Sequence, residues 1–299
     1  MRALVTGATG FVGGRLARLL LDQDTEVRAL VRDRGKATEL ERAGCELHEG
    51  DVLEPDTVGG AGQDIDVAYY LVHGMGRGSG GDFAERERTA ARGFARMAAD
   101  EGVGRVVYLG GLGEDPGSQH LRSRHETGQI LGAEGPPLTY LRASMVVGAQ
   151  SASYEMLRHL VSRLPVMIAP SWLKTLTQPI GIDDALAYLS AAPTIEAAAG
   201  REIQIGGPDV LAYGEILDRM AHALHRRPRP KLPVPVISPL LSSKWIGLVT
   251  PVDAGVARPL IEGLATRTVV TDPSGAQLFD IEPVGIDAAL ERAVAEDPR

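Results

Sequence analysis

The sequence predicts an α/β fold: a doubly wound, mostly parallel sheet with a smaller C-terminal lobe. Three observations predict it. A glycine-spaced turn, TGATGFVGG, stands between an apolar strand and an apolar helix pattern at the start of the chain. Short runs rich in Val, Leu and Tyr then alternate with longer helical patterns, the signature of repeated right-handed crossovers. Length and composition, 299 residues with 44% hydrophobic and 23% charged, suffice for a sizeable core.

The elements follow in order. Residues 2–6 read as a short buried strand, and 11–21 as a helix with Leu16, Leu19 and Leu20 on one side. EVRALV (26–31) is a second strand, 35–43 a second helix and CELHEG a third strand that starts at Cys45. IDVAYYLV (65–72) is the next strand, 83–100 a long helix, and VGRVVYLGG another strand. Residues 121–133 look helical and LTYLRAS (138–144) extended. The later chain is less regular. A helix over 154–164 stops before Pro165; 177–182 is extended, and Asp183 is placed to cap a helix running to Ala192. REIQIGG is a strand with a turn, and a helix over 213–226 ends at the basic, proline-rich RRPRPKLPVP. That segment reads as an exposed stiff connector, with contact to an acidic surface as the other reading. The division expected is a core over 1–148 and a substrate-side lobe over 149–299 that returns elements to the core.

Composition narrows the function classes. Net charge is −8, from 39 acidic against 31 basic residues, which argues against a chain-wide nucleic-acid footprint. The single cysteine, Cys45, excludes an intrachain disulfide framework and a multi-cysteine metal site, and it reads as a small core residue. The seven histidines contain no H-E-x-x-H, and G-x-S-x-G is absent. No apolar run reaches membrane-spanning length, and a strand beginning at Arg2 leaves no room for a secretory signal. The expectation is a soluble cytoplasmic protein, monomer or homodimer, acting on a small molecule, without metal, membrane or nucleic-acid partner.

Gly7, Gly10 and Gly13 carry the clearest chemistry. Between a strand and a helix, the first permits a tight turn. The second lets backbone approach a pyrophosphate, and the third lets the helix pack on the strand. The helix start offers unpaired N–H groups and a positive dipole end to phosphate. This predicts a Rossmann-like dinucleotide site. At the end of the second strand a carboxylate favours a free ribose 2′-hydroxyl, whereas arginine accommodates a 2′-phosphate. The chain has LVRDR there, so Arg32 tilts the choice to NADP (NADPH), while Asp33 keeps NAD open. Asp51, in EGDV after the third strand, either accepts from the adenine amino group or caps a helix.

TGATGFVGG, LVRDR, EGDV, YYLVHGMG, YLGGLG and HLRSRHETG together resemble the atypical short-chain dehydrogenase/reductase superfamily, in its NAD(P)H-binding NmrA-like and nucleoside-diphosphate-sugar epimerase-like branches. The resemblance is strong over 1–148 and looser through QPIGIDD and LSSKWIGLVTP. It implies that Thr9, Phe11 and Val12 lie with the three glycines against the pyrophosphate. It implies that Asp51 and Val52 form the adenine side, and that Leu71, Val72 and His73 form the loop beside the nicotinamide ribose. Gly110 and Gly111 match the end of the next core strand, where active members usually carry a serine. HLRSRHE aligns with their Tyr-x-x-x-Lys helix, which places His120 at the tyrosine position and Arg124 at the lysine position.

These departures narrow the chemistry open to the site. Serine and tyrosine ordinarily polarise the substrate oxygen while lysine lowers the tyrosine pKa. Arg124 can hold cofactor hydroxyls and supply charge but is no practical base. His120 can shuttle a proton, since its unperturbed pKa lies near neutrality, or make a nucleotide or structural contact, or be an exposed helix-cap or loop histidine. His73 should emerge at the sheet's C-terminal edge, where GMGRGSGGDF forms either a closing lip or a surface connection. His125 faces either solvent or the cofactor. Tyr69, Tyr70 and Tyr108 read as packed strand residues. Trp172 and Leu173 are candidate pocket walls, and Met145, Met156 and Met167 either adaptable pocket surface or core; Trp245 lines either a partner surface or the lobe itself. The reading is an NADPH-dependent oxidoreductase, a reductase of a small to medium carbonyl or conjugated compound. The alternative is a non-catalytic NAD(P)-binding redox sensor or scaffold of NmrA-like type. The missing tyrosine–lysine pair disfavours a sugar-nucleotide epimerase.

Overall fold

The computed structural model describes residues 1–72, 82–113, 118–233 and 263–297. Six strands come from the N-terminal half: β1 (Arg2–Thr6), β2 (Glu26–Val31), β3 (Glu46–Glu49), β4 (Val67–Tyr70), β5 (Arg105–Gly111) and β6 (Leu138–Ala143). Four helices accompany them: α1 (Phe11–Asp22), α2 (Thr38–Arg42), α3 (Asp82–Asp100) and α4 (Gln119–Glu134). A late strand, Arg201–Ile205, pairs with β6 and completes a seven-stranded sheet of order Arg201–Ile205, β6, β5, β4, β1, β2, β3. Every pairing in it is parallel. The doubly wound fold expected from the alternation is the fold observed.

Both faces of the sheet are covered, which is why its strands read as nearly continuous apolar runs. Ala3 and Val5 of β1, Val67 and Tyr69 of β4, and Val107 and Leu109 of β5 point to the α1 side, where Leu16 and Leu20 are fully buried. Leu4, Ala68, Tyr70, Val106 and Tyr108 point to the α3–α4 side, onto Phe94 and Leu131. A third core belongs to the later chain. It joins Tyr154, Leu157 and Leu160 of α5 (Ala152–Arg163), Ile216 and Met220 of α7 (Tyr213–Ala223), and Leu290 of the C-terminal helix Ile286–Glu296. Between them α6 (Ile182–Ala191) packs Ile182, Ala185 and Leu189 back onto the main sheet.

Several local expectations are corrected. The helix expected over 35–43 is a 3-10 turn, Arg34–Lys36, followed by the short α2; Asp33 Oδ1 accepts from Gly35 N at 2.9 Å and tightens the entry. Asp183 is not a cap. α6 starts at Ile182 behind Gly181, and the exposed Asp183 pairs with Arg292 at 3.1 Å. The helix expected over 213–226 closes at Ala223, and His225 takes a positive φ of 53°. The proline-rich segment is largely exposed over its described residues, as expected, but it is anchored rather than a free connector. Arg229 Nε donates to Val161 O at 3.2 Å, and Lys231–Pro233 pairs in parallel with Met167–Ala169. Backbone pairing and a Lys231–Asp218 bridge of 2.5 Å tie it to the second lobe. Among the described residues no helix is long and apolar enough to cross a membrane.

Candidate functional site

Strand order reverses at β1, which lies between β4 and β2. Crossovers depart to opposite faces there, leaving a crevice at the strands' carboxyl ends. Thr6, the last residue of β1, staples the crevice floor: its hydroxyl donates to Tyr69 O at 2.8 Å and accepts from Leu71 N at 3.2 Å. The chain then turns at Gly7 with φ of 71°, and a Cβ there would stand 2.6 Å from Leu71 O. A Cβ at Gly13 would stand 2.3 Å from Gly7 O, so only glycine lets α1 approach the turn this closely. Gly10 N donates to Gly7 O at 2.8 Å, and no side chain caps the start of α1. Helix geometry leaves the first-turn N–H groups without intrahelical acceptors. They face the crevice beside the helix's positive dipole end, which fits a pyrophosphate.

A cavity of about 550 Å³ opens over this turn. Gly7, Thr9, Gly10, Phe11, Val12, Gly13, Arg32, Asp51, Val52, Leu71, Val72, Gly110, Gly111, His120 and Arg124 all line it. Residues dispersed over the first half of the chain are thus brought to one surface. His73 and the glycine-rich lip after it lie outside the described residues, as does Trp245.

The two charges of LVRDR part company. Arg32 is exposed at the end of β2, borders the cavity, and has no hydrogen bond or ion pair with any described residue. Asp33 is occupied with Gly35 N and with Lys36 at 3.8 Å. Arg34 turns to Leu47 O at 3.1 Å and Glu41 at 3.4 Å. Asp51 Oδ1 accepts from Leu53 N at 3.0 Å, a local turn that orients its carboxylate on the cavity rim.

The opposite end holds α4. His120 and Arg124 are one turn apart and both face the cavity. Arg124 Nη2 donates to Leu109 O at 2.6 Å, which ties α4 to the end of β5. The Tyr108 hydroxyl donates to Arg124 O at 3.0 Å and the Tyr140 hydroxyl to the same carbonyl at 3.4 Å. Packing accounts for the missing serine. A Cβ at Gly110 would lie 2.3 Å from the Tyr140 ring, and one at Gly111 would lie 2.7 Å from Leu121. Arg142 then braces the strand end, with Nε donating to Gly111 O at 3.0 Å and further bonds to Gly113 O and Glu202.

His120 does not match the neutral-range proton shuttle the sequence suggested. Desolvation, reinforced by the Arg124 charge, pulls its pKa down to about 3, so the ring stays neutral. Its Nδ1 is buried and has no hydrogen-bond partner among the described residues. The unfolded chain binds a proton near pH 6.5 and the folded chain does not until about pH 3. Stability therefore falls as pH drops through that window, by up to about 1.4 kcal/mol per pH unit from this group. Urea unfolding at pH 7 and pH 5 should show this slope, and His120→Gln should flatten it. An unchanged slope in H120Q would place the acid sensitivity elsewhere.

The remaining aromatic candidates are structural. Tyr69, Tyr70 and Tyr108 are buried in the sheet, and burial raises the pKa of each, that of Tyr108 to about 12. His125 turns to Gln129 at 3.2 Å and towards the Tyr140 ring rather than into the cavity. Cys45 is buried in the α1-side core. Trp172 and Leu173 are not cavity walls; they pack in the second-lobe core with Met167. Met145 and Met156 do line the cavity. So do Ser144, Ser153, Tyr213, Leu264 and Thr268, none of which the sequence singled out. They come from loops and helix starts far apart in the chain, and no local spacing marks them.

Comparison with known proteins agrees with the geometry. A family described as NAD(P)H-binding matches residues 7–158. An NAD(P)H azoreductase of Xenophilus azovorans is 39% identical over 68 residues, 23% of this chain and 24% of that protein. The photosystem II assembly factor Ycf39 of Synechocystis is 38% identical over 67 residues, 22% of this chain and 21% of that one. The match thus spans about a quarter or less of these curated relatives. Among solved structures, Citrobacter triphenylmethane reductase complexed with NADP(H) superposes with a TM-score of 0.74 at 16% identity, over 98% of this chain and 100% of that one. At that identity the likeness speaks for the fold. With the matched segment covering the glycine turn, much of the crevice and α4, the chain belongs to the NAD(P)H-binding family.

Proposed function

We propose that this protein is an NADPH-dependent reductase of a small to medium, neutral, conjugated or carbonyl-bearing substrate. The observation that carries this reading is the continuity of the cavity. It runs from the uncapped start of α1 and Arg32 to an apolar pouch at Met145, Met156 and Leu264. Its charged lining residues, Arg32, Asp51, Glu87 and Arg124, all come from the Rossmann side. Among the described residues the pouch has no cation for a second diphosphate, which disfavours a nucleoside-diphosphate sugar. The azoreductase and triphenylmethane reductase that the chain resembles are named for conjugated substrates.

In this reading Arg32 holds the 2′-phosphate, and Gly7, Thr9, Gly10, Phe11, Val12 and Gly13 hold the pyrophosphate against the helix dipole. Asp51 and Val52 flank adenine, and Leu71 and Val72 border the nicotinamide ribose. The reduced nicotinamide supplies hydride when bound. Arg124, fixed by Leu109 O, places positive charge where an oxyanion develops. His120 serves as a neutral hydrogen-bonding group rather than as a charged acid. At Gly110 and Gly111 the Tyr140 ring and Leu121 fill the room a serine side chain would need. His73, next in sequence after Val72, remains a candidate contact.

The test is NADPH oxidation across a panel of quinones, enones, aromatic aldehydes, azo dyes and triphenylmethane dyes, followed by loss of reduced-nicotinamide absorbance. At least one class should accelerate it. Tight NADPH binding with no accelerated oxidation would sink the reading. One observation favours a redox sensor instead: the usual serine, tyrosine and lysine are replaced by Gly110 or Gly111, His120 and Arg124. A sensor must bind its partner differently with oxidised and reduced cofactor. Equal partner recovery with either form would dispose of that alternative.

A further inference from the structure

Three hydroxyls from three distant stretches of chain meet at the second-lobe wall of the cavity. Leu176–Thr177 pairs antiparallel with Leu211–Ala212, which delivers Tyr213, the first residue of α7, beside Thr177. Tyr213 N donates to Thr175 O at 3.2 Å. Thr268 bridges Thr177 in parallel, and its backbone is bound on both sides, with Thr268 N to Leu176 O at 3.1 Å and Gln178 N to Thr268 O at 2.9 Å. Thr268 Oγ1 donates to Thr177 Oγ1 at 2.8 Å, and the Tyr213 hydroxyl shares hydrogen bonds with both threonines. Trp172 holds the Tyr213 ring edge-on, with centroids 6.2 Å apart. Tyr213 and Thr268 line the cavity, and the fully buried Thr177 stands behind them. All three lie outside the segment that matches the family.

Three hydroxyls bring three O–H donors. The path from Thr268 to Thr177 to Tyr213 holds the cluster together with two of them. The third, the phenolic proton, then has Thr268 Oγ1 as its acceptor within the cluster, a place that a ligand oxygen in the cavity takes over when bound; the hydroxyl donating to the phenol oxygen raises its donor strength. Burial keeps this phenol protonated at neutral pH. Around it Met145, Met156 and Leu264 supply apolar surface, and Ser144, Ser151 and Ser153 add hydroxyls but no charge. A neutral donor in an uncharged wall suits a neutral acceptor; a carboxylate or phosphate would lose more hydration than one phenol returns.

We propose that Tyr213, oriented by Thr177 and Thr268, is the donor that anchors a neutral carbonyl or quinone-type oxygen on a flat, apolar substrate. The substrate class rests on the reductase reading, but a contrast in binding between two matched probes does not require turnover. The probes are 2-acetylnaphthalene and 2-ethylnaphthalene, of matched shape with and without the carbonyl, titrated calorimetrically into protein saturated with NADP⁺. In the wild type the ketone should bind about 5- to 10-fold tighter, the worth of one neutral hydrogen bond. In Tyr213→Phe the two affinities should become equal, with NADP⁺ affinity and thermal midpoint retained. In Thr268→Val, which leaves the ring in place, the ratio should fall about 2- to 3-fold through loss of orientation. Equal binding of the two probes by the wild type, or a ratio that survives Y213F, overturns the proposal. A panel without turnover but with this contrast intact would remove the reductase reading alone.

Discussion

Gly13→Val should abolish measurable cofactor binding and destabilise the fold by about 3 kcal/mol or more, at the upper end of what overpacking costs. The added Cβ meets Gly7 O at 2.3 Å and Gly7 C at 2.8 Å. Both are backbone atoms of the turn itself, so no side-chain rotation relieves the contact. α1 must move away from β1, or the turn must open. Either change displaces the first-turn N–H groups from phosphate and disturbs the packing of Leu16 and Leu20 beneath. Gly59→Ala is the control, since a Cβ there meets nothing within 4 Å. Chemical denaturation with NADPH fluorescence titration reads both quantities. A G13V protein that keeps wild-type NADPH affinity would show that the turn does not hold the cofactor.

Arg32→Ala should raise the Kd for NADPH about 10- to 100-fold, the worth of one or two charge-assisted hydrogen bonds, and change that for NADH less than about 3-fold. The expectation rests on a contrast between neighbours. Arg32 borders the cavity without a described partner, whereas Asp33 is spent on Gly35 N and Lys36. Arg32→Asp should go further and invert the preference, because a carboxylate repels the 2′-phosphate and accepts from a free 2′-hydroxyl. Asp33→Ala should leave the preference intact. Equal weakening of both cofactors by R32A would mean that the arginine supports the loop rather than reading the phosphate.

Local patterns carried much of this protein plainly. Gly7, Gly10 and Gly13 are close in sequence, and their spacing acts within a single turn and helix start, so the strand–turn–helix setting is written over a short stretch. The parallel sheet was equally legible, because a strand buried on both faces is apolar along its whole length. Misjudged boundaries had local causes of another kind. Asp33 bonds to Gly35 N and cuts the second helix short; Gly181 rather than Asp183 precedes α6. His120 shows a deeper limit. Its type suggests a group that titrates near neutrality, but desolvation and Arg124 hold it neutral, and desolvation is a property of everything packed around a ring.

The doubly wound fold, the dinucleotide turn and the side of the crevice on which Arg32 would stand are legible along the chain, since each depends on neighbours a few residues away. Packing in three dimensions sets which of Arg32 and Asp33 is left facing the cavity, why no serine fits at Gly110 against Tyr140, and which residues form the far wall. Met145, Tyr213 and Thr268 meet there because short strand pairings bring residues 177, 211 and 268 together. Contacts closed over such separations leave no periodic trace in the chain; they exist only once its cores have formed.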